Sequence, residues 1–284
     1  MALDFAALEF GQERNLFFDG AMGTMLQRGY TEAEVYRQYI EAGSDILTAN
    51  TFGLLEPKAI QEAVGQLRVI LEEYPASSQK LIALDIGPTG RLLEPYGDLS
   101  PVECHRIFSE ISEAGAEAGA DLILIETMMD LNEMCIAVQA AKKTTKKNIK
   151  RTTKKTTLPV IATMSFDKTG RTSMGVDIKT MVKELELLEV DALGMNCGYG
   201  PELYIDLLPQ FMAATRLPIL VQPNAGLPEI VDGKSCYTMT PKDFAKSMAE
   251  MAEMGNAGKN VMLLGGCCGT TPEHIKEMIT LCRP

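Results

Sequence analysis

Leu263-Leu264-Gly265-Gly266-Cys267-Cys268-Gly269-Thr270-Thr271-Pro272 holds a pattern that the rest of the chain repeats. An apolar run, Val261 to Leu264, reads as a strand; it ends in a collar of glycines around two cysteines, and Thr271-Pro272 then opens a helix. The glycines let the backbone turn sharply and approach a ligand closely. Adjacent cysteines seldom bond to each other, because the small ring strains both the peptide and the disulfide dihedral. Two readings stand for the doublet. It is either a thiolate pair for a borderline-soft ion such as zinc, or two small residues buried at a strand end.

Working outward, the same strand-site-helix unit recurs. Apolar runs at Asn15–Phe18, Asp45–Ala49, Leu81–Leu84, Leu122–Ile125, Val160–Met164, Ala192–Met195 and Ile219–Val221 are separated by helical spacing. Thr31-Glu32-Ala33-Glu34 has the form of a capping box, and Ser100-Pro101-Val102-Glu103 supplies an N-cap, a proline at N1 and an acid. Strands about every 30 to 40 residues with a helix between them are the mark of parallel βαβ units. Eight such units with no dividing linker predict an α/β chain folded as one (β/α)8 TIM barrel over residues 1–284.

Composition bounds the rest. Of the 284 residues 46% are hydrophobic and 23% charged, as in a globular protein with a sizeable core. A net charge of −11 argues against nucleic acid as the main partner. No apolar stretch approaches the ~20 residues that span a bilayer, and Met1-Ala2-Leu3-Asp4 lacks the form of a secretory leader, so a cytoplasmic protein is expected. Seven cysteines, an odd number, fit reduced thiols better than a disulfide framework. One segment departs from the acidic whole: Lys142 to Lys155 carries eight basic residues and several threonines. It is expected to be a mobile, solvated helix end and loop on the N-terminal face of the barrel, away from the chemistry.

Residues just past the C-terminal strand ends share one mouth in such a barrel. Those positions are Asp19, Asn50, Asp85, Glu126, Cys197, Asn224, Cys267 and Cys268. Cys197 supplies a third sulfur, and three protein ligands with one vacant position is the arrangement of a catalytic zinc site. Cys104, Cys135 and Cys282 fall inside helices and Cys236 in a loop, and all four read as ordinary packed thiols. The two histidines, His105 and His274, lie on helices rather than at strand ends, so a histidine-rich zinc hydrolase and a Ser-His-Asp triad are both poorly supported. Three thiolates make zinc a weak activator of water but a good holder of a further, still nucleophilic thiolate. A thiol substrate is then the natural fourth ligand. Asp19 and Glu126 are placed to receive an ammonium group, and the amides of Gly20-Ala21-Met22-Gly23 a carboxylate. The plainer alternative for the two acids is a loop or cap carboxylate with no ligand.

Asp19-Gly20-Ala21-Met22-Gly23-Thr24, Asn50-Thr51-Phe52-Gly53, Asn196-Cys197-Gly198, Gln222-Pro223-Asn224-Ala225-Gly226 and the cysteine-doublet stretch together resemble the homocysteine S-methyltransferases. Within them the likeness is to the homocysteine-binding module of the cobalamin-dependent methionine synthases, and it runs over nearly the whole chain. The resemblance implies a zinc-bearing barrel that methylates homocysteine to methionine, with Cys197, Cys267 and Cys268 as the zinc ligands. It implies substrate contacts at Asp19, Gly20, Ala21, Glu126 and Asn196. The resemblance covers no folate-, cobalamin- or activation-domain segment up to Pro284, so either a separate methylated corrinoid protein, the expected donor, brings the methyl group or the chain is a piece of a longer protein. S-methylmethionine or betaine as donor, another thiol as acceptor, and a binding subunit that only presents homocysteine are the alternatives.

Overall fold

The computed structural model describes residues 15–75, 80–147, 158–231, 234–258, 260 and 262–283. Eight parallel strands form the barrel: β1 (Leu16–Phe17), β2 (Ile46–Thr48), β3 (Leu81–Ile86), β4 (Leu122–Met128), β5 (Val160–Met164), β6 (Ala192–Asn196), β7 (Ile219–Gln222) and β10 (Met262–Leu264). They are ordered β1-β10-β7-β6-β5-β4-β3-β2. The two ends of that order meet through a parallel bridge between Phe18 and Ile46, backed by Asp45 N–H to Phe17 O at 2.7 Å and Asp19 N–H to Ile46 O at 3.1 Å. The sheet is therefore closed, as the recurring units predict.

Around it run α2 (Glu32–Ala42), α3 (Pro57–Glu72), α4 (Pro101–Glu117), α5 (Leu131–Lys147), α6 (Ile178–Leu187), α7 (Pro201–Ala214), α8 (Pro241–Gly258) and α9 (Pro272–Cys282). The expected caps form. Thr31 and Glu34 make a reciprocal capping box, and Ser100 accepts from Glu103 N–H, although the Glu103 carboxylate turns instead to Arg91 at 2.7 Å. At α9 the box is closed by a histidine. His274 Nδ1 accepts from Thr271 N–H at 3.2 Å, so its proton sits on Nε2 and donates to Met239 O at 3.0 Å. Burial holds this imidazole below its ordinary range, and its bonds, which include a contact of Nδ1 with Thr271 Oγ1 at 2.9 Å, are structural.

Strand alternation sorts side chains between two cores. Leu16 and Phe18 of the first strand segment, Ile46, Leu81 and Ala83, Leu122 and Leu124, Ile161, Ala192, Leu220 and Leu263 fill the barrel interior, while their neighbours pack outward against the helices. Because inward positions recur every second residue, the next inward side chains toward the C-terminal mouth are Thr48, Asp85, Glu126, Thr163 and Gln222, with Asn196 one step further along β6, beyond Gly194. An apolar interior thus gives way abruptly to a polar floor beneath the mouth.

Three local expectations change. The small-residue loop after Asp19 contains a short helix, α1 (Gly23–Gln27). Cys236 lies not in a plain loop but on an antiparallel hairpin, β8 (Glu229–Val231) with β9 (Lys234–Cys236), inserted between β7 and α8. Finally, Lys142–Lys147 of the basic segment is the last part of α5 rather than loop, and its remainder up to Lys155 lies outside the described residues. Lys142 pairs with Asp191 at 2.8 Å, and Asp191 also accepts from Val160 N–H, the first residue of β5. The basic helix end is therefore tied to the N-terminal face, as expected. No helix among the described residues is long and apolar enough to cross a membrane.

Candidate functional site

The cysteine doublet is delivered by β10 and pinned from both sides. A side chain at Gly265 would meet Phe18 Cβ at 2.7 Å, so only glycine lets β10 lie this close to the first strand. Cys267 N–H donates to Pro223 O at 2.8 Å, Ala225 N–H donates to Cys268 O at 3.0 Å, and Gly266 N–H donates to Asp19 O at 3.1 Å. Thr270 closes the turn through its hydroxyl on Cys267 O at 2.7 Å. Cys197 follows β6 with φ of 62°, a left-handed conformation that costs a side-chain-bearing residue roughly 1–2 kcal/mol. The conformation is held by Cys197 N–H on Gln222 O at 3.1 Å and Tyr204 OH on Cys197 O at 2.7 Å.

The result is convergence. The three sulfurs, about 70 residues apart in the chain, all lie within 4.8 Å of one another, with Cys267 and Cys268 at 4.0 Å. Sulfurs held at ~2.3 Å in a tetrahedron around one ion stand ~3.8 Å apart, so the set fits a single thiophilic ion. Its electrostatics agree. Donation from Cys197, then Cys267, holds the Cys268 thiol well below its usual range, while donating to its two neighbours pushes Cys267 up. One thiolate is stabilised by two protonated partners, and three together require a cation. The Tyr237 hydroxyl is a further donor to Cys268, and its ring packs where a Gly269 side chain would sit. By contrast the thiols of Cys104 and Cys282, in helices, are pushed up to about 12 by burial, and that of Cys135 to about 11. All seven cysteines are free.

Beside the sulfurs lies a trio of acids. Asp19 is buried, with Thr48 donating its N–H to Oδ2 at 2.9 Å and its hydroxyl to Oδ1 at 2.7 Å. Burial outweighs those bonds and raises its carboxyl to about 7. Glu126 is raised to about 8, first by burial, then by the charges of Asp19 and Cys268. Glu126 is thus the acid that senses both the carboxylate and the thiol side of the mouth. Asp85 is raised by burial and then by Glu126 and Asp19.

A stability test follows. An aspartate held near 7 in the fold, against ~3.9 unfolded, keeps a proton that unfolding would release. Its contribution is full below pH ~4 and is lost as pH rises through about 7. Thermal melts of metal-free Asp19→Asn and wild type are expected to move in the variant's favour between pH 5 and 7.5. A Tm difference that stays constant over that range contradicts the assignment.

The remaining predicted contacts take other forms. Asn196 is fully buried: its Oδ1 accepts from Thr127 N–H and the Thr163 hydroxyl, both at 2.8 Å, and its Nδ2 donates to Thr127 Oγ1 at 2.7 Å. It holds Thr127, at φ of 60°, and so fixes the backbone next to Glu126. Gly20 has no room for a side chain, which would meet Thr270 Oγ1 at 2.6 Å and Tyr39 OH at 2.8 Å. The Ala21 amide donates to Thr270 Oγ1 at 3.1 Å, so one of the four amides expected to take a carboxylate already has a partner in the protein. Asn50 leaves the mouth, donating to Glu32 at 2.7 Å. Thr48 and Thr163 were not singled out from the sequence and Gln222 was quoted there without a role, although each stands two residues beyond an inward apolar residue.

The sequence model of the homocysteine S-methyltransferase family matches residues 16–282. Over an alignment of 311 positions the chain is 30% identical to methionine synthase of Mycobacterium tuberculosis (strain ATCC 25618 / H37Rv), covering 97% of this chain and 25% of that protein. Methionine synthase of Mycobacterium leprae (strain TN) is 29% identical with the same coverage. The chain therefore spans about a quarter of the length of these relatives. Among solved structures, the homocysteine methyltransferase MmuM of Escherichia coli in its metallated form superposes with a TM-score of 0.72 at 22% identity, over 98% of this chain and 99% of that one. Its apo form gives 0.69 at 23%.

Proposed function

The chain belongs to the homocysteine S-methyltransferase family, and from that premise we propose that it binds homocysteine as a thiolate and methylates it to methionine, with zinc held by Cys197, Cys267 and Cys268. One observation carries the proposal: three thiols from two distant strand ends converge on the open mouth of the barrel. A fourth protein ligand is not among them, and the described residues offer no other cluster of metal-ligating side chains with this geometry.

Zinc bound there supplies acidity, lowering the pKa of a thiol in the open position so that it ionises at neutral pH. The chain's own residues do the rest. Asp19 and Glu126 face the substrate ammonium, Asn196 keeps Glu126 in place through Thr127, and the polar floor stops the amino acid above the apolar interior. Held in this way, the homocysteine sulfur forms a bond to the methyl carbon as the donor leaves with the bonding pair. The thiol proton has been released, and the product thioether is neutral and a weak ligand. Fixing sulfur and methyl in line is worth several powers of ten by itself.

The proposed donor is a methylated corrinoid protein. Support comes from the rim: Phe52, Leu92, Tyr96, Met129, Met174 and Leu227 are 44–83% exposed, and each lies between a barrel strand's C-terminal end and the next helix. Apolar groups on the face that holds the mouth give a partner protein something to cover, although exposed apolar residues such as Val102 and Leu187 also stand on the outer helices. The test is methionine formation from homocysteine with a methylated corrinoid protein, betaine or S-methylmethionine as donor. Turnover with the corrinoid donor is expected. Homocysteine binding without methionine from any donor identifies a presenting subunit instead, and full activity in metal-free protein contradicts the zinc assignment.

A further inference from the structure

Asp85 has no part in the chemistry described so far, yet it is placed as a ligand-binding group. Leu81 and Ala83 of β3 point into the barrel, so Asp85, the next residue of that face, does too; it pairs in register with Leu124 of β4, two residues before Glu126, whose charge it feels. Its main chain is clamped: Thr51 Oγ1 donates to Asp85 O at 2.8 Å and accepts from Asp85 N–H at 3.1 Å. Asp85 is 6% exposed as a residue, and its buried Oδ1 has no hydrogen-bond partner. Native proteins rarely leave a buried oxygen in that state without a purpose. A second orphan acceptor, Gln222 Oε1, sits on the same inner layer from β7. Asp19 is different, since both of its oxygens already accept from Thr48.

The floor of the mouth is therefore rich in acceptors that lack donors. A primary ammonium brings three N–H donors and one positive charge on a single atom, and it matches both deficits. We propose that Asp85 is a third carboxylate of the substrate's ammonium subsite and a determinant of specificity for amino-bearing thiols. The proposal rests on the reading of the mouth as a homocysteine site. A thiol-acid of equal length that lacks the ammonium would leave Asp85 Oδ1 buried and unpaired, so it is selected against by the same residue that selects for the amine.

The experiment compares calorimetric binding of homocysteine and 4-mercaptobutyrate, its analogue without the amino group, to zinc-loaded wild type, Asp85→Asn and Asp85→Ser. Wild type is expected to prefer homocysteine. Both variants are expected to weaken homocysteine roughly 10- to 100-fold while binding 4-mercaptobutyrate at least as well as wild type, with zinc content unchanged. The smaller serine guards against a variant that fails to fold through steric strain. Equal losses for both ligands, or a preference that survives in the variants, overturns the role of Asp85 alone. Wild type that binds neither ligand overturns the homocysteine reading and this proposal with it.

Discussion

Cys267→Ala is expected to purify with roughly a tenth or less of the wild-type zinc and to form methionine at least ~1,000-fold more slowly. Two effects add. A thiolate removed from a three-ligand site leaves two, too few to define a tetrahedral position for the ion. Without it the substrate thiol returns toward its free pKa of about 8.5 and loses its placement opposite the methyl group. The loss is local, because Cys267 lies beyond the apolar interior and the barrel core is filled by other side chains. Far-UV circular dichroism and Tm should stay close to those of metal-free wild type. Cys104→Ala is the control: that thiol is buried in α4 and no zinc should be lost. Metal analysis and a methionine assay read both outcomes, and a Cys267→Ala protein with stoichiometric zinc refutes the ligand assignment.

Glu126→Gln is expected to raise KM for homocysteine about 100-fold, the scale of removing a charged hydrogen-bond partner from a buried site, with kcat reduced far less and zinc content unchanged. The substitution keeps the shape and removes the charge. It also removes a pH effect whose sign is fixed by burial. With its carboxyl raised to about 8, Glu126 is increasingly protonated as pH falls below that value, and a neutral carboxyl attracts an ammonium less. In wild type KM should therefore climb as pH falls from 8.5 toward 6.5, and in Glu126→Gln this climb should be blunted. Steady-state kinetics over that range decide it. A KM unchanged by the substitution, or a wild-type KM that falls with falling pH, removes Glu126 from the subsite.

How far the sequence alone reached depends on the range of the forces involved. The eight apolar runs were legible because each strand is buried on both faces, so hydrophobicity is nearly continuous from Leu81 to Leu84 or Leu122 to Ile125. The three sulfurs were legible because closure of the barrel brings strand ends to one mouth wherever they stand in the chain. The hairpin of Glu229–Val231 with Lys234–Cys236 was missed because strands of three residues are too short to show a periodicity. The end of α5 was drawn too early because lysine and threonine read as solvated loop, although lysine is a good helix former. Asn196 looked like a substrate contact. Within the protein it bonds Thr127 and Thr163, 69 and 33 residues away, a positioning role that only the folded barrel reveals. Asp85 stood in the predicted ring, but its orphan oxygen is a property of packing and has no sequence signal.

The central claim is that three cysteine sulfurs share one zinc ion and leave a position for the substrate's sulfur. Zinc K-edge X-ray absorption of the protein, recorded before and after homocysteine is added, addresses it most directly. The expected spectra show three sulfur neighbours and one lighter ligand at first, then four sulfurs at ~2.3 Å. Four protein sulfurs from the outset, or a first shell that homocysteine leaves unchanged, contradicts the account.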